Sequence, residues 1–451
     1  MALFLAHAGL LVLASHLAAR RLLRPEIDRW IATLLLAWGN IVVTSLLLST
    51  VRHLGDPAWF FRCSLLLAGG TWLVLGRVRP EPLRAVEPAA DRPHAGLMVL
   101  GAVSLLPLVY ISVRIAAAYE PNNYDSLAYH LPRAMYYLGQ NNLAHFDTGN
   151  PRQTYFPFNY NLLQLFGLIY DPPRQCLNFI NLATWAVCGL SIYRLCRLGA
   201  GSANAALVAT WLALTSTQVL AQATATTNDL PTGAALLCGL VFAFRWMESR
   251  LTRDALLAGL GTGLAIGSKL TVIFFAPAAG VLIAALVFRQ FRQGAGPAAW
   301  RGLRAWVPPG LLAFILAAPF ALINLAEKGE WINKTYDFTL NRPFSFACVS
   351  QTARAYLVQL FIEPLHRFTF DLKFTEELNA WGVRTLFPHW NPAYAFSPLF
   401  LFPPDLNEDH VWFGFTGPLI LLAAVFAVVR CRRAQAPVAW LAWIGLGWFA
   451  T

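Results

Sequence analysis

Three residues in this sequence combine a reactive type with an unusual setting. Asp125 sits in Asn122-Asn123-Tyr124-Asp125-Ser126, directly ahead of a piece with apolar periodicity. As a helix N-cap it would accept backbone N–H bonds. As a general base it would take a proton from an incoming hydroxyl or amine. Asp229 poses the same choice in Thr226-Thr227-Asn228-Asp229-Leu230-Pro231, which has the form of a helix start with proline in the first turn. A second carboxylate facing the same side as Asp125 could instead orient an acceptor or help hold a metal ion. Lys269, in Gly267-Ser268-Lys269, is one of four lysines and the only one inside a strongly apolar region. It can snorkel to an interface, or neutralise a phosphate that departs during group transfer.

Asp125 belongs to a longer polar stretch, Tyr119 to Leu165, rich in Asn, Tyr, His and Pro and flanked by long apolar runs. Irregular backbone cannot lie in lipid, where its peptide groups would lack partners, so this stretch must be held at one membrane face. His130 and His145 lie in it, with Arg133 and Arg152, and Arg174 follows. The aromatic set Tyr129, Tyr136, Tyr137, Tyr155, Phe156, Phe158 and Tyr160 could stack on sugar rings or anchor the loop at the interface. No HxxxH or HExxH spacing joins the histidines, so dedicated zinc binding is not signalled. The seven cysteines form no CxxC pair, which speaks against disulfides and structural zinc. No Walker A, GxSxG or GxGxxG motif supports nucleotide hydrolysis or serine-hydrolase chemistry.

The elements that must position these residues are membrane spans. The chain has 451 residues, 57% hydrophobic and 13% charged, against a soluble norm of about 45–50% and about 25%. The net charge of +11 comes from arginines in short loops, as the positive-inside rule expects, and not from a basic aromatic patch that would read nucleic acid. The expectation is an all-α polytopic membrane protein of about twelve spans with two large outer loops. Met1 to Ala19 reads as a span and not a signal peptide, because its charges follow the apolar run. Trp30 to Thr50 and Trp59 to Gly76 complete three leading spans, and a Pro- and Arg-rich inside linker closes a module over 1–94. Leu97 to Ala118 leads into the first outer loop, 119–175, in which Asn161 to Tyr170 is expected at the interface. Spans follow at Cys176 to Tyr193, Ala203 to Ala223 and Leu230 to Trp246. The long run Ala255 to Arg289 is read as two short helices parted at Gly267-Ser268-Lys269, and Trp306 to Ile323 ends a core module over 95–323. A second outer loop spans 324–410. The remainder, 411–451, holds one span and the start of another, which is expected to be cut short. Arginines after each inward crossing, including Arg194, Arg197, Arg245, Arg250 and Arg253, place Asp229, Lys269 and both long loops outside.

Tyr124-Asp125-Ser126-Leu127-Ala128-Tyr129-His130-Leu131-Pro132-Arg133, followed by Gln153-Thr154-Tyr155-Phe156-Pro157, resembles the first outer loop of glycosyltransferase family 39-type proteins. These are GT-C membrane glycosyltransferases, similar to protein mannosyltransferases and to the aminoarabinose transferase of lipid A. The resemblance extends over about Leu97 to Ile323, with weaker likeness at Thr226 to Pro231 and Gly267 to Lys269. It implies a GT-C-like fold in the bacterial inner membrane, with the active site facing the periplasm. It also implies a polyprenyl-phosphate sugar as donor and a glycan, lipid or protein as acceptor. Asp125 matches the family's catalytic acid, Asp229 its second acid, and Lys269 a basic residue near the lipid phosphate. Tyr129, His130 and Arg133 are expected at the donor or acceptor. Two departures stand out. Three spans precede the catalytic loop, and Asp125 lacks an adjacent second acid, which weakens the case for a divalent metal while leaving one open. The other classes compatible with the pattern are a transporter or flippase of lipid-linked sugars, and a polytopic scaffold.

Overall fold

The computed structural model describes residues 2–77, 91–199, 201–275, 304, 306–331, 350, 377, 380–381 and 384–385. Two compact units divide the chain, Met1–Trp211 with Ala223–Asn333, and Leu212–Gln222 with Lys334–Thr451. In the second, the described part is mainly a short helical piece, together with a contact in which Arg384 Nε donates to the Ala380 carbonyl at 3.1 Å. All the candidate residues lie in the first unit.

Within the described residues the elements are helical. The leading helices are α1 (Ala2–Leu22), α2 (Glu26–Thr50) and α3 (Pro57–Gly76), followed by α4 (Ala95–Ala118). Local signals set their starts. Pro25 precedes α2, whose first turn holds Glu26 and Asp28, and Asp56 caps α3 by accepting from the Ala58 and Trp59 amides at 2.8 and 3.1 Å. The platform contains a π-helical turn (Ser126–His130), α5 (Leu131–Gln140), the single turn α6 (Arg152–Tyr155) and α7 (Asn159–Leu168). Beyond it come α8 (Asn178–Leu198), α9 (Ala203–Leu214), α10 (Thr217–Ala223), α11 (Asp229–Ser249), α12 (Thr252–Ile266), a 3-10 turn (Leu270–Phe275), α13 (Val307–Ala317) and α14 (Pro319–Lys328).

Six of the described helical segments are long and apolar enough to cross a membrane, or up to eight if two bent pairs, α9 with α10 and α13 with α14, each count as one span. The expected run Ala203 to Ala223 is thus two helices, interrupted after Leu214, and the run Trp306 to Ile323 bends by 50° after Ala317. The chain also breaks at Gly267–Lys269, where α12 ends and the 3-10 turn begins. Its partner helix, most of the second large loop and the spans expected over 411–451 lie outside the described residues, and α14 continues to Lys328, past the loop start expected at Asn324. Apolar side chains stand exposed along α4, among them Val103, Leu106 and Tyr110, a surface suited to lipid.

Helices α11 and α12 pack closely because small residues let their backbones meet. A Cβ added to Gly261 would lie 2.7 Å from the Ala235 carbonyl, and one on Gly259 would lie 2.3 Å from the Pro309 carbonyl of α13. α12 is therefore sandwiched, and it delivers Gly267 to Lys269 to a fixed place.

At the far end of α11 from Asp229 the charges are locked inward. Arg194 of α8 grips Asp28 of α2 with two bonds, Nε to Oδ1 at 2.6 Å and Nη2 to Oδ2 at 3.0 Å. Arg245 of α11 donates to the same carboxylate and reaches Asp254 of α12 at 3.4 Å. Ser249 Oγ donates to Asp254 at 2.6 Å. In the sequence Arg194 and Arg245 mark inward span ends. The structure buries both, because Asp28 and Asp254 supply the counter-charges that make burial tolerable. This cluster joins one of the three leading helices to α8, α11 and α12.

Candidate active site

The π-helical turn is closed by the Leu131 amide donating to the Ser126 carbonyl. Its start is capped by Asn123, whose Oδ1 accepts from the Ser126 amide at 2.7 Å, and not by Asp125. The Asp125 side chain is thereby left for other partners and is about one-third exposed. Tyr129 Oη donates to Asp125 Oδ2 at 2.7 Å, and Arg152 Nη1 lies 3.8 Å from Oδ1. Burial pushes the Tyr129 phenol far above its ordinary pKa, reinforced by the Asp125 and Asp229 carboxylates, so it stays protonated and donates.

Asp229 is not a cap either. Asn228 occupies the cap position of α11 without a side-chain cap bond, and its amide nitrogen instead donates to the Ser268 carbonyl at 2.9 Å. The Asp229 carboxylate accepts from Lys269 Nζ, and both side chains face open space, 44% and 34% exposed. Lys269 therefore meets a carboxylate partner at the end of α12.

His130 closes the turn and is 2% exposed. Its ring lies 4.2 Å from the Tyr129 ring and edge-on to Tyr160 at 5.5 Å. Asn161 Nδ2 donates to the His130 carbonyl at 3.0 Å and to Nδ1 at 3.1 Å. The carbonyl can only accept, which fixes the orientation of the Asn161 amide. The same Nδ2 also donates to Gln164 Oε1 at 3.2 Å, and His130 Nε2 is buried without a hydrogen-bond partner among the described residues. Burial pushes the His130 pKa down to about 3, with Arg133 and Lys269 acting in the same direction, so the ring is neutral. Ser126 Oγ of the Asp125 turn meets Thr226 Oγ1 just ahead of Asp229, which brings the Asp125–Tyr129 and Asp229–Lys269 pairs into one region.

Arg133, expected at the donor or acceptor, points elsewhere. It is 1% exposed, and its guanidinium donates to the carbonyls of Thr154 at 2.7 Å, Phe156 at 2.6 Å and Pro157 at 3.2 Å, and to Tyr137 Oη at 3.0 Å. An irregular segment needs partners for its carbonyls, and Arg133 supplies them. Most of the platform aromatics behave similarly. Tyr137, Phe158 and Tyr160 are core residues and not interfacial anchors, whereas Tyr136 stays half-exposed and stacks on Phe146 at 4.1 Å.

The segment expected at the interface, Asn161 to Tyr170, falls largely in α7, and every residue from Asn159 to Gly167 is buried. Its polar side chains find partners inside, which is why it can lie there. The Asn159 amide donates to the Gly267 carbonyl at 2.7 Å and Asn159 Nδ2 to the Leu316 carbonyl at 2.9 Å. Gln164 Nε2 donates to the Thr226 carbonyl at 3.1 Å. Asn181 of α8 holds the Thr227 carbonyl at 3.0 Å, and Ser126 Oγ meets Thr226 Oγ1 at 2.5 Å. A Cβ on Gly267 would sit 2.1 Å from Asn159 Nδ2, so glycine is required for this approach. These residues tie the Asp125, Asp229 and Lys269 turns together. The sequence reading missed them, although Asn159, Asn161 and Gln164 in an otherwise apolar piece carry the signal of inward-facing polar groups. Among the described residues, no group of three or more His, Cys, Asp or Glu side chains gathers that could hold a metal ion.

Residues 157–331 match the family model of dolichyl-phosphate-mannose-protein mannosyltransferases. This match supports a GT-C glycosyltransferase. It covers less than half of the chain and begins at Pro157, so it includes Asp229, Lys269 and the α7 network but not Asp125, Tyr129 or His130. No curated protein and no solved structure matches the chain.

Proposed function

We propose that this membrane glycosyltransferase moves a sugar, hexose or pentose, from a polyprenyl-phosphate-linked donor to a glycan, lipid or protein acceptor, on the outer face of a bacterial inner membrane. The donor enters laterally from the bilayer into a core formed by 95–323. Asp125 takes the proton of the acceptor hydroxyl or amine as that atom attacks the anomeric carbon. The bond from that carbon to the phosphate oxygen breaks with its electron pair staying on the phosphate, and the configuration inverts. Lys269 stabilises the negative charge gathering on the leaving polyprenyl phosphate.

One observation carries this reading. The turns that carry Asp125 and Asp229 meet through Ser126 and Thr226, Asp229 pairs with Lys269, neither acid is used as a cap, and all three charged groups stay partly open. Supporting it, the matched family acts with a lipid-linked mannose, and its span includes Asp229 and Lys269. The test is incubation of membranes carrying the protein with polyprenyl-phosphate sugars labelled in the sugar. Free polyprenyl phosphate should appear together with an equal amount of glycosylated acceptor of inverted anomeric configuration. Movement of the intact labelled lipid between leaflets, with no cleavage above empty membranes, would replace this reading with transport.

A further inference from the structure

Helix α2, in the leading module ahead of the core, meets the rest of the fold at three levels. Asp28 near its start enters the arginine clamp. Near its end Ser49 Oγ accepts from the Leu143 amide at 2.9 Å. Midway, Trp38 is 1% exposed, and its indole N–H donates to the Asn159 carbonyl at 3.1 Å. An indole nitrogen can only donate, so this bond fixes both partners. Asn159 opens α7, and its own amide donates to the Gly267 carbonyl at 2.7 Å while its Nδ2 donates to the Leu316 carbonyl at 2.9 Å. Next in the chain, the Ser268 carbonyl accepts from Asn228 at 2.9 Å, and the Ser268 and Lys269 amides both donate to the Ala265 carbonyl at 3.0 Å. A line of hydrogen bonds thus runs from Trp38 through Asn159 to the backbone that carries Lys269. The two helices are also in direct contact there, since a Cβ on Gly39 would lie 2.9 Å from Leu260 Cδ1 of α12.

We propose that Trp38 is a positioning residue for Lys269, so that the leading helices are a working part of the site and not only an anchor for it. Asn159 is held at three points, its carbonyl by Trp38, its amide by Gly267 and its side chain by Leu316. Removing the indole donor lets Asn159 turn at the start of α7, and the Gly267 carbonyl follows because it is bound to the Asn159 amide. Lys269 is two residues further on, at the end of the same short segment, so the shift is carried to its ammonium. Stabilisation of a departing phosphate depends on where that ammonium sits, and a misplacement of about 1 Å is enough to lose much of it. Trp38 lies ahead of residues 157–331, so the contact links the leading module to the part of the chain that the mannosyltransferase model matches. The inference rests on the reading of Lys269 as the phosphate's counter-charge.

The test reads binding, independently of turnover. Polyprenyl monophosphate without sugar is titrated onto the purified full chain, for the wild type, Trp38→Phe, Lys269→Met and the double variant, with binding expressed per folded protein. Trp38→Phe deletes the N–H and keeps an aromatic ring. It should weaken binding by about 5–10-fold. In the Lys269→Met background the same change should alter binding by less than about twofold, because the group it positions is gone. Trp38→Leu separates positioning from packing. Its melting temperature should fall further than that of Trp38→Phe, whereas its binding per folded protein should fall only to the same level. Binding by Trp38→Phe equal to wild type, an equal penalty in both Lys269 backgrounds, or binding that tracks melting temperature across the Trp38 variants would overturn the positioning role. Wild-type protein that fails to bind polyprenyl phosphate, or Lys269→Met that binds it as tightly as wild type, would instead overturn the reading of Lys269 on which that role depends.

Discussion

The two ends of α11 carry similar ingredients in opposite states. Around Arg245, two aspartates and two arginines are buried and paired, with Asp28 at 0% and Arg194 at 5% exposure. Around Asp229, some sixteen residues and about 24 Å earlier along the helix, an acid and a lysine pair in open space, with a second acid held by Tyr129 and a histidine nitrogen left unmatched. In the first arrangement each of these four charges has its counter-charge in the fold. The second is incomplete in the way a binding site is incomplete before its substrate arrives. Acids in membrane proteins are commonly read as functional, and the contrast teaches that closure of the network, more than the presence of the acid, separates a clamp from a site.

That comparison can be broken from either side. The largest effect on stability is expected at the clamp. Asp28→Ala leaves Arg194 and Arg245 without their shared carboxylate and should lower the unfolding free energy in detergent by about 3–5 kcal/mol. A variant as stable as wild type would show that the clamp is not what joins the leading helices to the core. At the open end the order reverses. Lys269→Met should reduce turnover by roughly 10²–10³-fold while leaving the melting temperature nearly unchanged, as measured by donor consumption and thermal unfolding on one preparation. Gly267→Ala should be intermediate in kind. The added methyl meets Asn159, so stability falls by about 1–3 kcal/mol, and turnover falls with it because Lys269 is displaced. The smallest effect belongs to Tyr136, half-exposed on the platform, where Tyr136→Ala should change stability by less than about 1 kcal/mol if its stack on Phe146 is only a surface contact. A large loss of turnover there would make it part of the acceptor surface.

The sequence made the helical membrane character legible because apolar runs of span length and their arginine flanks are one-dimensional signals. The break at Gly267 was legible for the same reason. The three charged candidates were visible as types, but their partners were not. Asp125 and Asp229 had equally good cap patterns, and only the structure reveals that Asn123 and Asn228 take those positions. Arg133 was misjudged because nothing local distinguishes an arginine facing a ligand from one holding three carbonyls some twenty residues away. The burial of α7 was hidden by its length, too short for a span, although its amides betray a polar interior contact. Arg194 and Arg245 were read from their place at span ends, where their pairing with the distant Asp28 cannot be seen.

The most direct test of the account is turnover by Asp125→Asn, with a labelled polyprenyl-phosphate sugar and turnover normalised to folded protein. The substitution keeps the shape and an acceptor for Tyr129 but removes the base, so donor consumption should fall roughly 10²–10⁴-fold at an unchanged melting temperature. Turnover equal to wild type, with equal folding, would contradict the assignment and move the base to another residue.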